Sequence, residues 1–322
     1  MFENQAMGPS HCCSASRLKL SFLFLIVLLA LAGVPVCAVA QTAQTSTADR
    51  AVRAKSEYVV VRPVANMYSK ASLQSDVVSQ AIYGVNVTRV KGKWHWVNVR
   101  TPDQYTGWMQ SSELKRLKGQ GYASTGSVVH VTQLSANIYR EPDVTKRAPL
   151  LTIPWESRVE VLSDKVDDRE RWLKVRLADG GEGFVQQGDV SSDFTPLTLE
   201  QTIAVAKKFL GVTYTWGGSS DFGFDCSGYT QMLMRQRGIV MPRDADLQAA
   251  WSGASPVGRK DLQPGDLLFF GDRADHITHT GMYIGEGRFI HDTTHEHPGV
   301  QISVLDDEPW TKLLVAARRP KT

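Results

Sequence analysis

The longest apolar run of the chain comes first, from Leu20 to Ala32 with Ser21 its one polar residue, behind Arg17 and Lys19. Small residues follow it and end in Ala38-Val39-Ala40. A basic start, a short apolar stretch and an A-x-A site predict a secretory signal peptide over residues 1–40, and so an exported, periplasmic or extracellular protein. Gly33 and Pro35 interrupt the run before it reaches the roughly 20 residues that span a bilayer. An uncleaved anchor helix is the alternative, and Cys37, behind Val34-Pro35-Val36, sits in a poor context for lipidation. No later segment is apolar enough to cross a membrane. Residues 41–56, rich in Ala, Thr and Ser, read as a linker.

From residue 57 the rhythm changes to a period of two. Val85-Asn86-Val87-Thr88 and Val159-Glu160-Val161 alternate apolar and polar positions in short runs bounded by turn residues, the pattern of strands with one buried face. Two stretches share landmarks. Ala65-Asn66-Met67-Tyr68, Trp96-Val97-Asn98-Val99-Arg100 and Gly107-Trp108-Met109 return as Ala136-Asn137-Ile138-Tyr139, Trp172-Leu173-Lys174-Val175-Arg176 and Gly183-Phe184-Val185. The offset is 71 residues at Asn66/Asn137 and 76 at Trp96/Trp172, which predicts an insertion of about five residues near 164–171. Each copy, over 57–118 and 125–193, reads as a small antiparallel all-β barrel with Trp96 and Trp172 in its core.

After Pro196 the spacing becomes helical. Thr198-x-x-Gln201 is a capping box, followed by Ile203, Val205, Ala206, Phe209 and Leu210 and closed by Gly211. A second helix is predicted from Cys226 to Arg237, before Gly238. Continuous apolar runs at 267–270, 280–284 and 288–290 then read as buried strands. Helices first and an antiparallel sheet afterwards predict an α+β domain over 197–322.

Composition adds little to this picture. The chain is 42% hydrophobic and 21% charged, ordinary for two or three globular domains. A net charge of +3 is too small to point to nucleic acid, though it is compatible with the anionic bacterial wall. The cysteines matter more. Of the four, Cys12, Cys13 and Cys37 leave with the signal peptide, so the mature chain keeps only Cys226. A lone thiol in an oxidising compartment is either a small buried hydrophobe or a reactive group.

Cys226 stands in Phe224-Asp225-Cys226-Ser227-Gly228, at the start of the second predicted helix and among polar neighbours. Unsatisfied backbone N–H groups and the positive end of the helix dipole are expected there to favour the thiolate and to stabilise an oxyanion. A nucleophilic cysteine also needs a base and a group that orients it. His11 leaves with the signal peptide, and His95 and His130 fall in the barrels. That leaves His276, His279, His291, His295 and His297. His279 opens the strand that ends at Gly285, and His291 follows twelve residues later across a Gly285–Gly287 turn. A hairpin brings such residues side by side, giving a Cys226–His279–His291 arrangement with His291 orienting the base.

The first two β segments resemble bacterial SH3-type domains through these same landmarks. The last domain is similar to the NlpC/P60 family of papain-like cysteine peptidases over about 199–319. Tyr214-Thr215-Trp216-Gly217-Gly218, Asp225-Cys226-Ser227-Gly228, Pro264-Gly265-Asp266-Leu267 and His279–Gly285 carry the resemblance in order. It implies a catalytic triad on Cys226, His279 and His291, with Tyr214 near the oxyanion site. Tandem SH3-type domains before such a domain resemble dipeptidyl-peptidase VI-type enzymes, which cleave γ-D-glutamyl–diamino acid bonds in peptidoglycan stem peptides bearing a free N-terminal L-Ala.

That resemblance implies substrate contacts at Asp225, Ser227 and Asp244 and at Tyr105, lent by the first barrel; Ala245 stands where some members carry serine. The second copy has Gly181 at the position of Tyr105, so a shared core does not explain this tyrosine. An exposed loop tyrosine is the bland alternative. The partners implied are stem peptides or muropeptides and the cell wall, with no cofactor and no metal. One alternative is an endopeptidase of the same family acting on intact wall, its barrels serving as wall-binding modules. Others are an inactive binding module and a zinc site on His291, His295, Glu296 and His297, on a stretch whose Thr293, Thr294 and Pro298 suggest an irregular loop.

Overall fold

The computed structural model of the chain describes residues 56–165 and 171–321. The expected signal peptide, the linker up to residue 55 and most of the expected insertion lie outside the described residues. Among the described residues no helix is long and apolar enough to cross a membrane.

The first seven strands are β1 (Tyr58–Val60), β2 (Val64–Tyr68), β3 (Val77–Ile82), β4 (Asn86–Lys93), β5 (Trp96–Arg100), β6 (Thr106–Gln110) and β7 (Leu114–Arg116). They form one antiparallel sheet in the order β3-β2-β6-β5-β4-β1-β7. The next seven are β8 (Val128–Val131), β9 (Ser135–Tyr139), β10 (Leu151–Pro154), β11 (Arg158–Ser163), β12 (Trp172–Arg176), β13 (Glu182–Gln186) and β14 (Val190–Ser191). Their order, β10-β9-β13-β12-β11-β8-β14, repeats the first. The alternation read from sequence holds: in β2, Ala65 and Met67 are fully buried while Asn66 faces outward to Gln80. Trp172 is buried and Trp96 half-buried. Each stands edge-on to a tyrosine of its own sheet, Tyr139 at 5.6 Å and Tyr68 at 5.5 Å.

Neither sheet closes into the barrel expected of it. The strands at the two ends of each order do not pair with one another. In the first sheet the outer edge of β3 is occupied from outside: Ser219 donates its N–H to Gln80 Oε1 at 3.1 Å. Gly217 lies so close to the Val77 carbonyl that a Cβ there would meet its oxygen at 2.7 Å. A strand whose edge serves another unit is not available to seal a barrel.

The remaining elements are α1 (Leu199–Lys208), β15 (Ser219–Ser220), β16 (Gly223–Phe224), α2 (Cys226–Gln236), α3 (Ala245–Ala249) and β17 (Ala254–Pro256). After them come β18 (Leu267–Arg273), β19 (His276–Gly285), β20 (Arg288–Thr293), β21 (Gly299–Val304), α4 (Trp310–Leu313) and β22 (Leu314–Pro320). Six strands form an antiparallel sheet, β17-β22-β18-β19-β20-β21. The capping box is made in full: Thr198 Oγ1 accepts from Gln201 N at 3.2 Å and Gln201 Oε1 from Thr198 N at 2.9 Å. On one side, Tyr229, Met232 and Leu233 of α2 pack with Phe209 against Phe269, Met282 and Ile290. On the other, Leu268, Phe270 and Phe289 close around Trp310.

Candidate active site

Cys226 is the first residue of α2, and Asp225 caps the helix by accepting from Gly228 N at 2.7 Å. The thiol is 7% exposed and lies within reach of the backbone N–H groups of Ser227 and of Thr280, the residue after His279. Burial pushes it up to about 12, and the Asp225 carboxylate adds to the rise; the two N–H groups and Arg243 oppose it. The helix-start N–H eases ionisation as expected, but burial outweighs it. A helix terminus contributes about 0.3–1 kcal/mol, less than the cost of dehydrating a thiolate beside a carboxylate.

The two histidines meet as predicted. His279 Nε2 lies 2.8 Å from His291 Nδ1, and His291 Nε2 lies 2.9 Å from Ser303 Oγ on β21. Aromatic rings hold the pair. Trp310 stands perpendicular to His291 at 4.7 Å and tilted over His279 at 5.3 Å, with Phe270 and Phe289 beside them. Burial drives His279 down to about 3 and His291 well below the usual imidazole range, where neighbouring His279 adds to the effect. Burial thus favours the uncharged forms of the thiol and of both imidazoles. Among the described residues no hydrogen bond joins Cys226 to His279; such contacts often tighten only when substrate binds.

Asp225 and Ser227 are knitted into the protein at the start of α2. Both are buried and bound to Arg243, itself 2% exposed. Its guanidinium donates to Asp225 Oδ1 at 3.0 Å and Oδ2 at 2.7 Å, to Ser227 Oγ at 2.8 Å and to the Gly218 carbonyl at 3.0 Å. Its Nε reaches Ser219 Oγ and, across the seam, Ser79 Oγ of β3, each at 3.2 Å. A planar fork of donors suits this mixture of carboxylate, hydroxyl and carbonyl. The cap that fixes the start of α2 is therefore tied to the first sheet through one arginine. In sequence Arg243 was overlooked; a lone basic residue between Pro242 and Asp244 reads as surface.

Asp244 and Tyr105 are brought together. The Tyr105 hydroxyl, from the β5–β6 turn, donates to Asp244 Oδ2 at 3.2 Å, although 139 residues separate them. Asp244 is the N-cap of α3 yet makes no side-chain cap bond, and its carboxylate accepts from Tyr105 instead. Burial and then the Asp244 charge raise Tyr105 to about 12, and burial raises Asp244 itself. The neighbouring turn residue Asp103 accepts from Gln231 of α2 at 3.0 Å. Tyr214 is half-buried, its hydroxyl made less acidic by burial and then by Cys226 and Asp225, which puts it beside the nucleophile.

Three further features of the site went unread in sequence. Ser303 and Trp310 lie on elements with no pattern of their own. Asp292, next to His291, is fully buried with neither carboxylate oxygen hydrogen-bonded, and burial pushes it up to about 8. His295, Glu296 and His297 do not join His291 in a metal set: among the described residues no group of three or more His, Cys, Asp or Glu side chains could hold an ion.

A cysteine at a helix start packed on an antiparallel sheet that carries a histidine pair defines a papain-like arrangement. The NlpC/P60 family pattern matches residues 211–319, and that of the bacterial SH3 domain matches 61–115 in the first sheet. Two proteins named gamma-D-glutamyl-L-lysine dipeptidyl-peptidase are similar to the chain. The Bacillus cereus one is 30% identical over 75% of this chain and 74% of its own length. The Bacillus subtilis one is 32% identical over 76% of this chain and 81% of its own length. The crystal structure of an NlpC/P60 family protein from Bacillus cereus superposes with a TM-score of 0.70 at 26% identity, covering 83% of this chain and all of the other. The chain belongs to the NlpC/P60 family.

Proposed function

We propose that this protein is an exported cysteine peptidase that hydrolyses the bond between γ-D-glutamate and the diamino acid of peptidoglycan stem peptides, on substrates with a free N-terminal L-Ala. In this reading both β units, 57–118 and 125–193, are SH3-type modules, and the first completes the substrate site. The observation that carries it is the Tyr105–Asp244 hydrogen bond. A carboxylate that makes no helix-cap bond and is held by a tyrosine from another unit suits a desolvated ammonium. It would reject a stem peptide whose alanine is still amide-linked to glycan. The two dipeptidyl-peptidase relatives match 75% and 76% of this chain, well beyond the catalytic domain alone, which supports the same choice.

The chemistry follows from the histidine pair. His279 Nε2 is engaged by His291, so Nδ1 is the nitrogen left for the thiol. Nδ1 takes the Cys226 proton as the sulfur attacks the γ-carbonyl carbon. The oxyanion is met by N–H groups at the start of α2 and by the Tyr214 hydroxyl. Collapse breaks the C–N bond, and the amine leaves with the proton from His279. Water, deprotonated by the same Nδ1, then cleaves the thioester, and the proton returns to sulfur. Asp225 and Ser227, bound to Arg243, hold the start of α2 beside the substrate site.

Cys226→Ser is expected to abolish release of the diamino acid from L-Ala-γ-D-Glu-diaminopimelate and from the lysine peptide, followed by mass spectrometry. Unchanged turnover would remove the nucleophile. N-acetylating the alanine is expected to suppress cleavage by the parent enzyme. Equal rates on acetylated and free peptides, or efficient digestion of intact sacculi, would favour the wall endopeptidase instead.

A further inference from the structure

The histidine chain does not end at His291. Ser303 stands opposite Phe289 in the β20–β21 ladder, and His291 opposite Gln301, so Ser303 lies diagonally beside His291 on the same face. Its Oγ is 2.9 Å from His291 Nε2. His291 is 0% exposed, whereas Ser303 is only half-buried. This hydroxyl is the outer terminus of a buried line of nitrogen atoms.

We propose that Ser303 is a positioning residue that holds His291, and through it His279, in the tautomer able to accept the thiol proton. Each nitrogen in the line constrains the next. For His279 Nδ1 to act as base in a neutral ring, the ring proton must sit on Nε2 and be donated to His291 Nδ1. His291 must then carry its own proton on Nε2, and that N–H needs an acceptor, which Ser303 Oγ supplies. The reverse arrangement, with the proton on His291 Nδ1, puts the His279 proton on Nδ1 and blocks the base. When His279 takes the thiol proton both its nitrogens carry hydrogen, and the line can run only outward, ending on Ser303. Without that oxygen the charged intermediate leaves an N–H buried and unpaired, the costly case for a hydrogen bond. Ser303, facing solvent on its other side, can turn its own O–H outward while it accepts.

The role rests on His279 acting as base in the proposed peptidase, but the tautomer itself can be measured without any turnover. In protein labelled with 15N-histidine, long-range proton–nitrogen correlations near pH 7 are expected to show His279 and His291 both protonated on Nε2. Finding His291 protonated on Nδ1 overturns the proposal whatever the enzyme cleaves, and this measurement on the parent decides the matter if variants fail to fold. Ser303→Ala is expected to lower kcat roughly tenfold with KM unchanged and to give a mixed His291 tautomer, while Ser303→Thr restores both to within about threefold. Full kcat in Ser303→Ala, or a loss of kcat with the tautomers unaltered, overturns it as well. Failure of Cys226→Ser to stop cleavage would remove the peptidase reading and leave the tautomer result standing.

Discussion

Two equivalent turns show how one repeated unit came to do two jobs. After β3 the chain turns through Tyr83-Gly84, and after β10 through Trp155-Glu156, each closed by the same backbone bond, Val85 N to Ile82 O and Ser157 N to Pro154 O, both 3.2 Å. The second turn residue is left-handed in both, Gly84 at φ 79° and Glu156 at φ 67°. Each aromatic leaves its own sheet. Tyr83 enters the core of the second sheet and accepts from Ala178 N at 2.7 Å, while Trp155 enters the catalytic core against Phe209 at 5.4 Å. The units are thus plugged in series, first into second and second into catalytic domain. The other end of the first sheet meets the catalytic domain through hydrogen bonds, Tyr105 to Asp244, Asp103 to Gln231, Ser79 to Arg243 and Gln80 to Ser219, beside one close backbone approach at Val77 and Gly217. Apolar plugs fix distance; in the proposed function, the polar reach supplies specificity.

The largest effect should come from pulling the second plug. Trp155→Ala removes a buried indole from the catalytic core and is expected to cost about 3–5 kcal/mol in chemical denaturation. The loss should appear as a less stable protein whose folded fraction keeps its KM. A selective rise in KM with stability intact would mean that the second unit, too, shapes the site.

The polar reach of the first unit should show the opposite signature. Tyr105→Phe removes one hydrogen bond to a carboxylate, with an expected loss of about 1.5 kcal/mol, or roughly tenfold in kcat/KM, on free-amine peptides. Thermal stability should stay within a degree or two. N-acetylated peptides, already poor, should be unaffected. If both substrates lose equally, the tyrosine packs the turn rather than serving the ammonium site.

The alternation of strands, the capped helix and the histidine hairpin were all legible in the sequence, because each follows from local spacing. The antiparallel sheet placed His279 against His291 through nothing more than hairpin register. Long-range facts were not legible. An arginine between Pro242 and Asp244 gives no sign that it will be buried with every donor satisfied, since its partners come from three separate stretches of chain. Sheet closure failed for the same reason: only the folded catalytic domain reveals that β3 already has a neighbour. The opposing pull of burial on the thiol is not legible, because helix polarity can be read from sequence and depth of burial cannot. Tyr105 was legible through the repeat itself, as the aromatic its sister copy lacks.

The smallest expected effect concerns pH and the second plug. Asp221 accepts the Trp155 backbone N–H at 2.9 Å, and burial pushes its carboxyl up to about 7. Unfolded, the group ionises near 4, so between about 4 and 7 the unfolded chain has lost a proton that the folded chain keeps. Stability must therefore fall as pH rises through that window and level off above it. Asp221→Asn keeps an oxygen to accept from Trp155 but cannot ionise. The variant should match the parent near pH 4 and become the more stable of the two by about 1 kcal/mol above pH 7, the figure held low because Asp221 is only half-buried. No mirror of this slope is expected at the first plug, where the Ala178 N–H meets a phenol, Tyr83, raised by burial to about 12. A parent whose stability is flat from pH 4 to 7, or a variant that follows the parent's slope, would show that Asp221 is ionised in the folded seam and that Trp155 is held by charge as well as by packing.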